Sequence, residues 1–285
     1  MGSNIKVTWK TALLGSFLAI ISLIVSQLLS QGIEELFAMV KIPQYIAAVI
    51  SAILYPLFTF LCLKISIEKL LKIPLNTLRF RGFKLNIAGI IIAILLPAIV
   101  VISYLLMQGE WAESDISPAD KVTVAVTGIC YYSIAAGIVE EMVFRGVIMG
   151  LLEKWKNTKI AMIVPSVLFG LIHILNGALS PMSLFQLAAA GAVVGILFSL
   201  IAYHYDNFWN NALVHALWNA STIGVMHVGT EPYENSIYTY VLNSRSMLIT
   251  GGDFGIEASI ISIIAYSLFI GILALMLRKK EGATK

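Results

Sequence analysis

Charged side chains are absent from seven stretches of the chain: 11–33, 42–63, 85–109, 122–139, 160–205, 207–230 and 258–277. Most are close to the ~20 apolar residues a helix needs to cross a hydrocarbon layer. The longest is too long for one crossing, and Asn176-Gly177-Ala178-Leu179-Ser180-Pro181 in its middle is a run of turn formers, so it divides in two. The pattern thus predicts eight spans, near 9–32, 43–63, 86–108, 121–151, 160–176, 182–204, 208–226 and 257–277. The fourth is unusual because its apolar pattern continues through charged residues.

Basic residues give the sidedness. With a cytoplasmic N-terminus, the inner segments hold Lys6 and Lys10, then Lys64, Lys69, Lys72, Arg79, Arg81 and Lys84, then Lys154, Lys156 and Lys159, and finally Arg278, Lys279, Lys280 and Lys285. The outer segments hold only Lys41, Lys121 and Arg245, together with most of the carboxylates, and Arg145 lies within a span. This obeys the positive-inside rule and predicts a multi-pass protein of the cell membrane with both termini cytoplasmic. The basic, partly apolar segment 65–84 suits a helix or loop lying on an anionic inner leaflet, with a simple solvated connector as the alternative.

Composition narrows the class further. Of 285 residues, 59% are hydrophobic and 12% charged, about half the charge of an ordinary soluble domain. A water-soluble enzyme, a disordered chain and a nucleic-acid binder are excluded. The expectation is an all-α polytopic membrane protein of about eight transmembrane helices, organised as a single membrane domain over 1–285. Cys62 and Cys130 lie in apolar segments and read as small core residues, not as a disulfide framework. The first span is too long for a removable signal peptide. Met1-Gly2 resembles a myristoylation start, but Lys6 stands where that motif requires Ser or Thr.

The informative residues are polar ones inside spans, where each is costly and tends to face a polar interior. Glu140, Glu141 and Arg145 fall within six residues of the fourth span. Glu141 and Arg145 are i, i+4 and share a helix face, while Glu140 is turned about 100° away. Glu141 is therefore expected to be neutralised by Arg145 while Glu140 stays free. His173 lies on the fifth span, and His215 and Asn219, again i, i+4, lie together on the seventh. His204 and His227 fall at span ends, as interfacial residues do.

In this order on successive spans, Glu140-Glu141-x-x-x-Arg145, Phe169-x-x-x-His173 and His215-x-x-x-Asn219 resemble the type II CAAX prenyl protease and bacteriocin-processing (CPBP, or Abi) family of intramembrane proteases. Phe144-Arg145-Gly146, and Gly191 and Gly195 ahead of Phe208-Trp209, add to the likeness, which covers the motif region 132–220. The resemblance implies that Glu140 is the catalytic base and His173 the second residue holding the water. It also implies that His215 and Asn219 stabilise the oxyanion, with Glu141 and Arg145 supporting.

The residues allow that chemistry on their own terms. Peptide hydrolysis needs a nucleophile, a base to generate it and donors for the developing oxyanion. No Ser or Cys is evidently paired with a base in these motifs, whereas Glu140 and His173 could polarise a water, in an intramembrane cavity expected to open to the cytoplasm. A metal-free mechanism without cofactor is expected. The alternative is a catalytic zinc held by Glu140, His173 and His215, although the usual His-Glu-x-x-His helix is absent. The substrate would be a peptide, a prenylated protein C-terminus or a membrane protein, met within the lipid bilayer. Two other readings use the same residues: a non-catalytic bacteriocin-immunity or membrane-protein-modulating protein, and a proton-coupled transporter. No inverted repeat supports the last.

Overall fold

A computed structural model describes residues 6–176 and 179–283. Eight main helices follow the apolar stretches: α1 Trp9–Met39, α2 Gln44–Leu63, α3 Ile87–Leu105, α4 Pro118–Trp155, α5 Thr158–Ile172, α6 Pro181–Tyr205, α7 Trp209–Ala220 and α8 Ile260–Ala283. Local chemistry fixes several starts. Ser117 accepts from the Asp120 amide with Pro118 in the first turn, Asn157 accepts from the Ile160 amide, and Ser180 accepts from the Ser183 amide ahead of Pro181. Part of the turn expected at 176–181 and the Met1-Gly2 start lie outside the described residues.

Six of the described helices are long and apolar enough to span a membrane, not eight. At 15 and 12 residues, α5 and α7 are shorter than a full crossing. The span expected over 208–226 stops early because the chain turns at Gly224, with φ +90°, and becomes a strand. That strand, β2 (Gly224–Gly229), belongs to a three-stranded sheet with β1 (Gly109–Glu113) and β3 (Ser236–Leu242) that the apolar pattern did not predict. The order is β1-β3-β2, antiparallel for the first pair and parallel for the second. Trp111 packs on Tyr240 across the first pair.

The lipid-facing and protein-facing sides of the helices differ in residue size. On α1, Leu13, Phe17 and Leu28 point outward, while Ala12, Gly15, Ser16, Ala19, Ser22, Ser26 and Ser30 are turned to neighbouring helices. Small residues let apolar helices approach closely where no hydrophobic driving force separates lipid from protein. The buried hydroxyls are satisfied within the helix, as in Ser16 to the Ala12 carbonyl (2.8 Å) and Ser26 to that of Ser22 (2.6 Å). Cys62 and Cys130 are unpaired and only half-buried, so they are less deeply placed than expected.

Elements assigned to one side of the membrane also meet at one end of the bundle. β1 follows α3 and pairs with β3, which follows α7, so these predicted outer segments are joined. At the opposite end, Arg79 is buried and bonded to Glu153 (2.5 Å) in the last turn of α4 and to Asp206 (2.9 Å) just after α6. Segment 65–84 is accordingly not a simple surface helix or loop. Wide i→i+5 turns extend α2 through Lys64–Leu70, and Phe80 then packs against Phe208, while Phe83 stays exposed.

Candidate active site

α4 carries the first group of polar residues through the interior. Its hydrogen bonding widens to i→i+5 over Thr127–Ala135 and again over Met142–Ile148, on either side of the double glutamate. Such turns are often found at functional sites. Gly137, one turn before Glu140 and Glu141, lies against the α7 backbone. A methyl there would sit 3.0 Å from the Ala216 nitrogen and 3.1 Å from the Ala212 oxygen. This close approach brings His215 alongside both glutamates. On the other wall, α5 and α6 touch at Gly170 and Gly191, where a Cβ on Gly191 would meet the Gly170 Cα at 2.5 Å.

The two glutamates separate as their helical spacing predicts. Glu141 is fully buried, and its Oε1 accepts from Arg145 Nη1 (3.1 Å) and from His215 Nδ1 (3.1 Å). Arg145 is equally buried. Its Nη2 donates to the Gly195 carbonyl (3.2 Å), and the guanidinium stacks near Phe169 (4.7 Å) and Phe198 (5.1 Å). The expected Glu141–Arg145 clamp is present, with a feature spacing alone could not show: the same carboxylate oxygen also orients an imidazole on another helix.

Glu140 faces a cavity of about 380 Å³. Its Oε2 is buried without a hydrogen-bond partner and lies 3.9 Å from Nε2 of both His173 and His215. His173 stands on the 3₁₀ turn His173–Asn176 that ends α5, and its Nδ1 donates to the Phe169 carbonyl (2.7 Å), a group that can only accept. Both imidazoles are therefore held through Nδ1 with Nε2 turned to Glu140. At 3.9 Å the pairs are too far apart for direct hydrogen bonds, yet one water can lie about 2.8 Å from each partner. Asn219, one turn beyond His215, lines the same cavity and donates from Nδ2 to the Tyr132 carbonyl (2.9 Å), leaving its second N–H available.

Glu140, His173 and His215 are also the set that could approach a metal. Zinc ligands at about 2.0–2.2 Å in a tetrahedron would lie roughly 3.3–3.6 Å apart, so all three would have to close inward. Among the described residues, no group of three or more His, Cys, Asp and Glu is arranged to hold an ion.

The cavity extends from these groups towards the sheet end of the bundle. Its lining there includes Thr222, His227, Tyr233, Phe254 and Glu257, and Tyr132 and Tyr233 are exposed. No residue of the basic end contributes to the described lining. Cytoplasmic access and a cytoplasmic N-terminus therefore do not combine, because the cavity lies towards the end where the predicted outer segments meet.

His227, expected as an interfacial residue, instead lines the cavity from β2, with Nδ1 donating to the Thr222 carbonyl (3.2 Å). Burial holds its imidazole below the ordinary histidine range. Glu257, which counts in sequence as one more outer carboxylate, is a second acid in the cavity wall. Neither residue carries a local signal of this role, since the turns over 222–257 bring both inward. His204 packs on Tyr205 and lies outside the described lining.

Residues 121–221 match the family described as type II CAAX prenyl endopeptidase Rce1-like. This segment contains Glu140, Glu141, Arg145, His173, His215 and Asn219, and the match supports a CAAX-protease-like family member. No curated protein matches the chain. The family is one of proteases, so the match supports a peptidase, and the six apolar helices mark a multi-pass membrane protein.

Proposed function

We propose that this CAAX-protease-like membrane protein is an intramembrane endopeptidase in which Glu140 activates a water for attack on a peptide carbonyl. The observation that carries the proposal is the unpartnered Oε2 of Glu140, equidistant from two imidazole nitrogens in a cavity large enough for a peptide segment and water.

His173, fixed as a donor through Nδ1, offers its Nε2 lone pair to one water hydrogen. Glu140 accepts the other. As the water oxygen bonds to the scissile carbon, its proton passes to Glu140 and the carbonyl electron pair becomes an oxyanion. Collapse of that intermediate breaks the C–N bond, and the proton on Glu140 goes to the leaving amine.

Charge balance assigns His215 its part. Glu140 and Glu141 are two negative charges, and Arg145 supplies one positive charge. A protonated His215 makes the buried cluster neutral, which is the least costly state in a low-dielectric interior. Protonated, His215 donates through Nδ1 to Glu141 and presents Nε2–H to the cavity. With the free N–H of Asn219 it forms a two-donor oxyanion hole one helical turn long. Arg145 and Glu141 act through His215 and do not face the described cavity.

With the basic segments cytoplasmic, the cavity faces the outer side. The proposed substrate is a peptide or membrane-protein segment that reaches the site from that side or laterally from the bilayer. The test is cleavage by the purified protein in detergent of a farnesylated CaaX peptide, a double-glycine leader peptide and a transmembrane-segment peptide. Cleavage of any of them that vanishes in Glu140→Gln supports the reading. Equal cleavage by Glu140→Gln refutes it.

A further inference from the structure

Glu257 is the one carboxylate in the described cavity lining that the proposed hydrolysis leaves unused. It stands on the short turn Ile256–Ala258 just before α8, so its backbone lies outside the apolar helix while its side chain lines the same space as Glu140, His173 and His215. Its hydrogen-bond partners are neutral: Thr222 Oγ1 approaches its Oε1 at 3.4 Å, and the Trp218 side chain also hydrogen-bonds the carboxyl. Burial pushes the carboxyl above the usual range, opposed by the nearby imidazoles of His173 and His215.

The charges around it are unbalanced. Among the described residues lining the cavity there are two carboxylates, Glu140 and Glu257, three histidines, of which the proposed mechanism needs His215 alone charged, and no lysine or arginine. Of the cations in the neighbouring cluster, Arg145 is fully buried and committed to Glu141 and to the Gly195 carbonyl, and His215 is held by Glu141. In a neutral Glu140–Glu141–Arg145–His215 cluster no positive charge remains for Glu257. A carboxyl in a largely apolar wall without a cation is costly unless a bound group supplies one.

We propose that Glu257 is a specificity-determining residue that accepts a basic side chain of the substrate close to the scissile bond. This rests on the peptidase reading above and names the substrate class it would take: a peptide with Lys or Arg near the cleavage point.

The experiment compares kcat/KM for quenched-fluorescence peptides that differ only in carrying Lys, Gln or Glu beside the scissile bond. A hydrogen bond to a charged partner discriminates by about tenfold or more, so the wild type should prefer Lys over Glu by at least that factor, mostly through KM. Glu257→Gln, which conserves shape and the Thr222 contact, should flatten the preference and leave kcat on the Gln peptide near wild type. Glu257→Lys should reverse it. A wild type that cleaves but shows no Lys preference, or a Glu257→Gln variant with the wild-type Lys-to-Glu ratio, overturns the assignment of Glu257 alone. A wild type that cleaves none of the three peptides overturns it together with the peptidase reading.

Discussion

Replacing Glu141 with Gln should separate the structural half of the double glutamate from the chemical half. Both partners of the Glu141–Arg145 pair are fully buried, so no solvent screening reduces the effect. In Glu141→Gln the guanidinium keeps only the Gly195 carbonyl and the aromatic faces, and His215 loses its carboxylate. Breaking one side of a buried pair costs about 3–5 kcal/mol. At about 2–4 °C per kcal/mol for a chain somewhat smaller than this one, the melting temperature in detergent should fall by roughly 6–20 °C. Glu140→Gln replaces a partly exposed acceptor that has no partner, and its melting temperature should stay within about 2 °C of wild type. The double variant Glu141→Gln/Arg145→Met removes the stranded charge and should recover most of the loss, while activity stays low because His215 is no longer oriented. Thermal unfolding by intrinsic fluorescence, run beside a cleavage assay, reads both quantities. A Glu141→Gln protein that melts with the wild type, or a double variant no more stable than the single one, would refute the buried-pair reasoning.

Asn219→Ala removes one proposed oxyanion donor and should lower kcat by about 10²–10³ with little change in KM, measured at saturating peptide. An unchanged kcat would remove Asn219 from the site. Glu140-dependent cleavage should survive prolonged chelation, and elemental analysis of active protein should find no stoichiometric zinc. Loss of activity on chelation that zinc restores would make Glu140, His173 and His215 ligands. Single cysteines introduced at Glu113 and Glu234 should react with an impermeant maleimide from outside the cell, and those at Lys72 and Lys156 only after permeabilisation. The reverse pattern would turn the cavity mouth to the cytoplasm.

Much of this architecture is legible in one dimension because a bilayer imposes a one-dimensional rule: apolar runs of sufficient length become helices. The separation of Glu140 from Glu141 and Arg145 was legible for a related reason, since 3.6 residues per turn fixes which side chains share a face. The motif order likewise marked His173, His215 and Asn219 in advance. What spacing could not supply was distance between helices. That one Glu141 oxygen holds both Arg145 and His215 depends on the approach of α4 to α7 at Gly137, a packing event with no sequence period. The shortness of α7, the sheet and the inward turn of His227 and Glu257 were hidden for the same reason. Residues 226–256 read as an outer segment between two spans, and only pairing with β1, more than a hundred residues earlier in the chain, decides where their side chains point. Helix formation in an apolar phase is settled locally by backbone hydrogen bonds. The shape and charge of the cavity are settled by which helix surfaces can approach closely, and that is a property of the folded chain.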